Sequence, residues 1–303
     1  MRCLSCEVEL TKKIDDNNCV INRKKQRRMV IDVMNIESEV YPGTSCNLCP
    51  AGGAVAKPQN KVCLITGATS GIGLETAKQF LKKGYRTAVC SNDTQAVAEA
   101  AMSVLEAMGD VVFYQTDISE EEQCEAVVAA TVKQYGRLDV LVNAAGITEK
   151  HLFLEGALDE VKRVIDIDLL GTLCMCKYGA QQMVKQNSGV IINITSMCSV
   201  IVNDATVGYH TAKAGVMRAT QVLAKELASS HVRCVSVAPA WVNTRLVKPE
   251  TAEAGGLLHL RRKIIEPQEI ADVVYYLAQD EAAAINGSQV MADDGYCEFK
   301  VID

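Results

Sequence analysis

Tyr209 and Lys213 stand four positions apart in Tyr209-His210-Thr211-Ala212-Lys213. On a helix that spacing brings both side chains out on one face, a turn apart. A free phenol, with a pKa near 10, is a poor acid or base at neutral pH, and an adjacent ammonium lowers that value by favouring phenolate. The pair points to proton transfer. Taken alone it is equally at home on an amphipathic surface helix, so the rest of the chain must supply a reason for it to act.

A second chemical signal lies upstream. Val62-Cys63-Leu64-Ile65 reads as a strand and runs into Thr66-Gly67-Ala68-Thr69-Ser70-Gly71-Ile72-Gly73, which is followed by the helical Leu74-Glu75-Thr76-Ala77-Lys78. Glycines in a strand-to-helix turn allow a close approach of backbone to a pyrophosphate, whose charge the free N–H groups and dipole of the helix start attract. An acid about twenty residues further on, at the end of the second strand, would hydrogen-bond the ribose of NAD and repel the extra phosphate of NADP. In Arg86-Thr87-Ala88-Val89-Cys90-Ser91-Asn92 that place falls on Ser91. Asp93 would supply a carboxylate only if the strand ended one or two residues later.

The elements that must position these groups are legible from residue 61 onward. Short apolar runs at 62–65, 87–90, 111–114, 140–142, 190–194 and 232–237 alternate with stretches of helical periodicity, which implies repeated β-α units. One helix is expected over 95–108, capped by Asp93-Thr94 and ended by Gly109. The predicted fold class is α/β, a doubly wound parallel sheet of the Rossmann type flanked by helices, with ligands at the carboxyl ends of the strands. Residues 59–303 form the expected dinucleotide-binding catalytic domain. Residues 1–58 read as an irregular extension, and Tyr41 to Pro58 has the Pro, Gly, Ser and Asn content of a linker.

Composition narrows the function further. A chain of 303 residues with 49% hydrophobic and 22% charged residues can bury a large core. The net charge of −6 argues against nucleic acid as a partner, and the one basic run, Arg23 to Arg28, reads as a solvated stretch. No apolar run spans a bilayer and the start lacks a signal-peptide core, so no membrane partner is expected and the cytoplasm is the expected location. Thirteen cysteines, several within strands, read as reduced core residues. Cys3/Cys6 and Cys46/Cys49 have the gap with which thiolates hold zinc or an iron–sulfur cluster, but their separation is too long for a typical zinc ribbon and no metal site is assigned.

With its three residues between the first two glycines, the turn resembles the Thr-Gly-x-x-x-Gly-x-Gly of the short-chain dehydrogenases/reductases, and the resemblance continues in order to about residue 296. It implies hydride transfer between a nicotinamide and a small-molecule carbonyl or secondary alcohol. Ser196, thirteen positions before Tyr209, is implied to hydrogen-bond the reacting oxygen, Tyr209 to exchange its proton, and Lys213 to hold the nicotinamide ribose. Besides Gly67, Thr69, Ser70, Gly71, Ile72 and Gly73, the implied cofactor contacts are Ser91, Asn92, Asp117, Ile118, Asn143, Ala144, Ala145, Gly146, Pro239, Val242 and Thr244, together with Tyr209 and Lys213. The missing acid at Ser91 leans the reading to NADP over NAD. Within the family the chain looks most like 3-oxoacyl carrier protein reductases and bacterial hydroxysteroid dehydrogenases.

Three departures stand out. The family pattern Asp-x-Asn-x-x-Gly reads Asp166-Ile167-Asp168-Leu169-Leu170-Gly171, so Asp168 replaces an amide that helps order a proton-carrying water. An anion there would favour protonated Lys213, slow proton delivery, or cap a distorted turn. Ala240 replaces a glycine, which is tolerable only if the backbone avoids positive φ. The stretch 245–263, with Gly255-Gly256 and Leu257, Leu258 and Leu260, reads as a mobile apolar lid or an ordinary surface helix. Asp168, Ala240 and the N-terminal arm together keep open a second function, a nucleotide-sensing or interaction protein with little turnover. The segments 157–186 and 208–229 have the lengths of helices that pair relatives into tetramers or dimers, and a homotetramer is expected.

Overall fold

A computed structural model describes residues 60–247 and 249–299. The N-terminal cysteine pairs and the basic run lie outside the described residues. Seven strands form one parallel sheet in the order β3-β2-β1-β4-β5-β6-β7. They are β1 Val62–Thr66, β2 Arg86–Ser91, β3 Val111–Gln115, β4 Val140–Asn143, β5 Gly189–Ile194, β6 Val232–Pro239 and β7 Gln289–Ala292. β1, β4, β5 and β6 are almost wholly buried, as continuous Val/Ile/Leu runs covered on both faces must be. β7 escapes a reading by hydrophobic runs because it is a partly buried edge strand with mixed residues.

The helices are α1 Gly71–Lys82, α2 Gln95–Glu106, α3 Glu121–Tyr135, α4 Leu158–Val164, α5 Thr172–Gln186, α6 Val207–Leu227, α7 Pro249–Leu257 and α8 Pro267–Leu277. They pack two apolar clusters against the sheet, one beneath Phe80, Leu105 and Val274, the other beneath Met175, Met183 and Ile191. Strand order reverses direction between β1 and β4, and the crevice at their carboxyl ends is where such sheets take ligands.

One local expectation fails, and one pair of alternatives is decided. α2 begins after Thr94, but no side-chain cap bond forms, because the Asp93 carboxylate turns to Thr69, Ser91 and Arg245 instead. α2 also ends at Glu106 with Ala107 in right-handed geometry, and Gly109 is not at positive φ. Of the two readings of 245–263, a lid or a surface helix, the structure has a helix, and it contains the Gly255-Gly256 pair. Both residues are buried in α7, where a Cβ at Gly255 would lie 2.4 Å from the Trp241 ring and one at Gly256 would lie 2.7 Å from the Ile264 nitrogen. Close packing accounts for these glycines. Leu257, Leu258 and Leu260 beyond them stay about half exposed.

The described cysteines are free, and most are core residues. Burial pushes the thiols of Cys90, Cys124 and Cys234 up to about 12, which leaves them without thiolate reactivity at neutral pH. No helix among the described residues is long and apolar enough to cross a membrane.

Candidate active site

The turn between β1 and α1 is shaped by close approach. Gly67 and Gly71 have φ of 66° and 53°, and a Cβ on Gly67 would lie 2.7 Å from the Ala145 Cα. Gly73 sits against the Gly67 carbonyl, which a Cβ would meet at 2.3 Å. The turn is thereby held against the segment after β4, where the Thr66 hydroxyl lies 3.1 Å from the backbone nitrogens of Ala144 and Ala145 that donate to it. Asn143 itself is buried in the sheet and donates to Asn193 of β5 at 2.8 Å, which cross-links the two strands that lead to the site.

A cleft with about 1000 Å³ of empty space, open solvent included, runs over this turn. Its floor is Gly67, Ser70, Gly71, Ile72 and Gly73; Ser91, Asn92, Asp117 and Ile118 line one end; Ala144, Ala145, Gly146 and Thr244 line the other. The turn amides at the start of α1 suit a pyrophosphate, so these residues fit a dinucleotide. Asp117 accepts from the Ser119 hydroxyl at 2.7 Å and from Asn92 at 3.2 Å, which holds both at the rim. Thr69 is not on the cleft surface; its hydroxyl is directed to Asp93 and Ser91.

β2 ends on Ser91, so the carboxylate at this end of the cleft does not come from a longer strand. It comes from Asp93, whose side chain folds back to Ser91. Pro239 closes β6, and Ala240 avoids positive φ, so its Cβ is accommodated. Val242 is buried and bridges to Ile265 through the backbone of its neighbours Trp241 and Asn243, leaving its own amide out of that bridge.

Ser196 follows β5 and Tyr209 and Lys213 lie in the first two turns of α6. The Ser196 Oγ accepts from the Cys198 amide at 3.2 Å and lies near enough to the Tyr209 phenol to lower its pKa. The Lys213 ammonium lies 5.4 Å from the centre of the Tyr209 ring and donates to the Ile194 carbonyl at 3.2 Å. Three side chains from two distant segments thus meet at the carboxyl end of β5.

Asp168 sits in a seven-residue π-helical segment, Ile165–Gly171, that interrupts the run from α4 to α5. Such wide turns are frequent at functional sites. Its buried carboxylate accepts from the Ile147 amide at 2.8 Å and lies 3.0 Å from the Lys213 ammonium. The carboxylate therefore pairs with the lysine and ties the π-helical segment to the loop after β4.

Burial dominates the electrostatics. It pushes the Asp168 carboxyl above its ordinary range despite Lys213. For Lys213 burial works against the charge, but Asp168 and Tyr209 outweigh it and hold the ammonium above its usual value. The Tyr209 phenol is pushed up by burial, pulled down by Lys213 and raised again by Asp168, with a net rise. The lysine acts with the sign expected from the spacing, yet it does not set the outcome.

Glu149 is a site residue that the sequence does not announce. It is 4% exposed, and its carboxylate accepts from the amides of Gly208 and Tyr209 at the start of α6. The Thr206 side chain forms no cap there, so an acid from a distant loop supplies it. Glu149 stands 59 positions from Gly208, so no local pattern in the sequence points to it.

The fold and this site define a short-chain dehydrogenase/reductase. The family model described as short chain dehydrogenase matches residues 61–255, and the chain belongs to that family. It is an NAD(P)-dependent oxidoreductase. Among similar proteins, a 3-oxoacyl-(acyl-carrier-protein) reductase FabG of Thermotoga maritima is 33% identical over 241 residues, covering 78% of this chain and 98% of its own length. A 2-(R)-hydroxypropyl-CoM dehydrogenase of Xanthobacter autotrophicus is 31% identical, with coverage of 78% and 98%. The solved structure "ElxO with NADP Bound" superimposes with a TM-score of 0.74 at 30% identity, covering 80% of this chain and all of the other.

Proposed function

We propose that this enzyme reduces the ketone of a 3-oxoacyl thioester, with Ser196, Tyr209 and Lys213 as its catalytic residues and Asp168 as a supporting one. The observation that carries the reading is the meeting of a serine hydroxyl, a phenol and a buried ammonium, with the ammonium beside Gly146 of the cleft lining. When bound, the reduced nicotinamide supplies hydride to the carbonyl carbon. Tyr209 then gives its proton to the developing alkoxide, Ser196 donates a hydrogen bond to that oxygen, and Lys213 stabilises the phenolate left behind. A phenol held above its ordinary pKa keeps its proton at neutral pH, which suits the reductive direction. Ser70, Gly71, Ile72 and Gly73 are the proposed pyrophosphate contacts, with Asp117 and Ile118 at the adenine end and Val242 and Thr244 at the nicotinamide end.

NADP(H) is the proposed cofactor in preference to NAD(H). Its support is the serine at the end of β2, the guanidinium of Arg245 in the cleft lining, and the NADP-bound relative. The substrate class draws support from the names of similar reductases and from the exposed apolar side chains of Leu152, Phe153, Val202 and Val207, which border a recess next to His210. Exposed Leu170 and Val184 on the π-α5 run and Val222 on α6 support association into a homotetramer or homodimer. We place the protein in the cytoplasm and the domain boundary near residue 58.

The test is oxidation of NADPH and NADH against 3-oxoacyl thioesters, oxosteroids and simple ketones. Turnover is expected to be fastest with the thioesters. Faster turnover of an oxosteroid would reassign the substrate, and cofactor binding without turnover of any compound would favour the sensing role. The pH profile gives a second check. The proton donor must be the neutral phenol, and its pKa lies above the ordinary value, so the reduction rate should be flat across neutral pH and fall only above about 10. Oxidation of the alcohol needs the phenolate and should rise over the same range. A reduction rate that falls between pH 7 and about 8.5 would show that another group controls it.

A further inference from the structure

The first turn of α6 carries the phenol, and the residue before it supplies no side-chain cap. Glu149, from the loop after β4, takes that place. Its carboxylate accepts from the Gly208 amide and, at 3.2 Å, from the amide of Tyr209 itself. The glycine leaves room for the approach, since a Cβ on Gly208 would lie 2.9 Å from Glu149 Oε1 and 3.2 Å from the Val161 carbonyl of α4. The loop is anchored on both sides. The His151 amide donates to the Ala205 carbonyl at 3.0 Å, just ahead of α6, and the Ile147 amide donates at 2.8 Å to Asp168, the partner of Lys213. Residues 147–151 thus hold the entry to the helix, its first turn and, through Asp168, the lysine one turn further on.

Glu149 is 4% exposed and bonds to backbone amides, and among the described residues no lysine, arginine or histidine forms an ion pair with it. Its negative charge therefore answers the positive end of the helix dipole, which is concentrated in the first turn, where Tyr209 sits. Left uncancelled, that positive end favours phenolate over phenol, as a cation near the ring does. The other groups facing the phenol are Ser196 and Cys198 after β5, Lys213 on α6 and Asp168 on the π-helical segment. Burial keeps the Cys198 thiol protonated, and Asp168 is paired with Lys213, so Glu149 is the anion left to offset the helix end. Its charge carries across the site, where it helps to raise the Asp168 carboxyl.

We propose that Glu149 is a positioning residue for the proton donor: it fixes the turn that carries the Tyr209 phenol, and its charge cancels the positive helix end that would otherwise draw the proton off. The two effects are separable, because an amide in place of the carboxylate keeps an acceptor oxygen and loses the charge. The inference rests on the proposed role of Tyr209 and adds a residue that touches neither substrate nor cofactor.

The test measures reduction of acetoacetyl-CoA by NADPH across pH with the full-length protein, together with NADPH binding by fluorescence. Glu149→Ala should lower kcat about tenfold or more, the scale of a displaced catalytic group, and leave the NADPH dissociation constant within about threefold. Glu149→Gln should recover most of that lost rate at neutral pH. Its rate should nevertheless begin to fall in alkali about half a pH unit or more below the unmutated enzyme, because the phenol gives up its proton more readily. A cap that only stabilises the helix would leave that fall where it is. An unshifted fall for Glu149→Gln overturns the inference while the role of Tyr209 stands, and it does so even if Glu149→Ala does not fold. A folded Glu149→Ala variant with kcat within about twofold of the unmutated enzyme overturns it as well. Failure of the unmutated protein to reduce acetoacetyl-CoA overturns the proposed reaction and the inference together.

Discussion

Tyr209→Phe is expected to lower kcat by about 10²–10⁴-fold, the usual contribution of a positioned general acid, while cofactor affinity stays within about threefold. The substitution removes one oxygen and leaves the ring, so the packing beside Lys213 is preserved and the loss falls on the proton. Burial holds that proton on the phenol, and Ser196 alone offers a hydrogen bond, not an acid of suitable strength. Steady-state reduction rates together with cofactor fluorescence titration check both halves. Retention of more than about a tenth of the activity would mean that the proton comes from elsewhere.

Lys213→Met should remove activity and also destabilise the fold, because it leaves the Asp168 carboxylate buried with only the Ile147 amide as a partner. Breaking a buried pair from one side costs about 3–5 kcal/mol, or roughly 10 °C in Tm for a domain of this size. The pH dependence has a definite sign. Asp168 already stands above its ordinary 3.8 in the folded chain, and losing the ammonium raises it further. The folded state then binds a proton that the unfolded state has released, so the loss of stability should be small in acid and grow as pH rises above about 4. Asp168→Asn in the same chain should restore most of the stability, since no charge remains to be buried, but not the activity. Thermal unfolding of the single and double variants across pH tests this, and a pH-independent deficit for Lys213→Met would show that Asp168 is not the unpaired charge.

Much of the site was readable because its residues are local in sequence. The glycine turn is a single strand-to-helix junction, and its close contacts explain why glycines occupy those places. Tyr209 and Lys213 share a helix face by spacing alone, and six of the seven strands are short apolar runs. The errors fell where long-range partners override local preference. Asp93 reads as part of a helix cap, but Arg245, 152 positions away, and the buried hydroxyls claim its carboxylate. The stretch around Gly255 and Gly256 reads equally as a lid or a surface helix, and the helix is decided where Trp241 and Ile264 fill the space beside them.

The sequence by itself determined the alternation of strand and helix, the order of the phosphate turn, serine, tyrosine and lysine, and the family to which they belong. Periodicity and short-range spacing decide these, and both are written along the chain. Only the tertiary structure decided that Glu149 caps α6, that Asp168 pairs with Lys213, and that Tyr209 stands above its ordinary pKa. A titration depends on the balance of burial against nearby charge, and that balance exists only once distant segments have packed together.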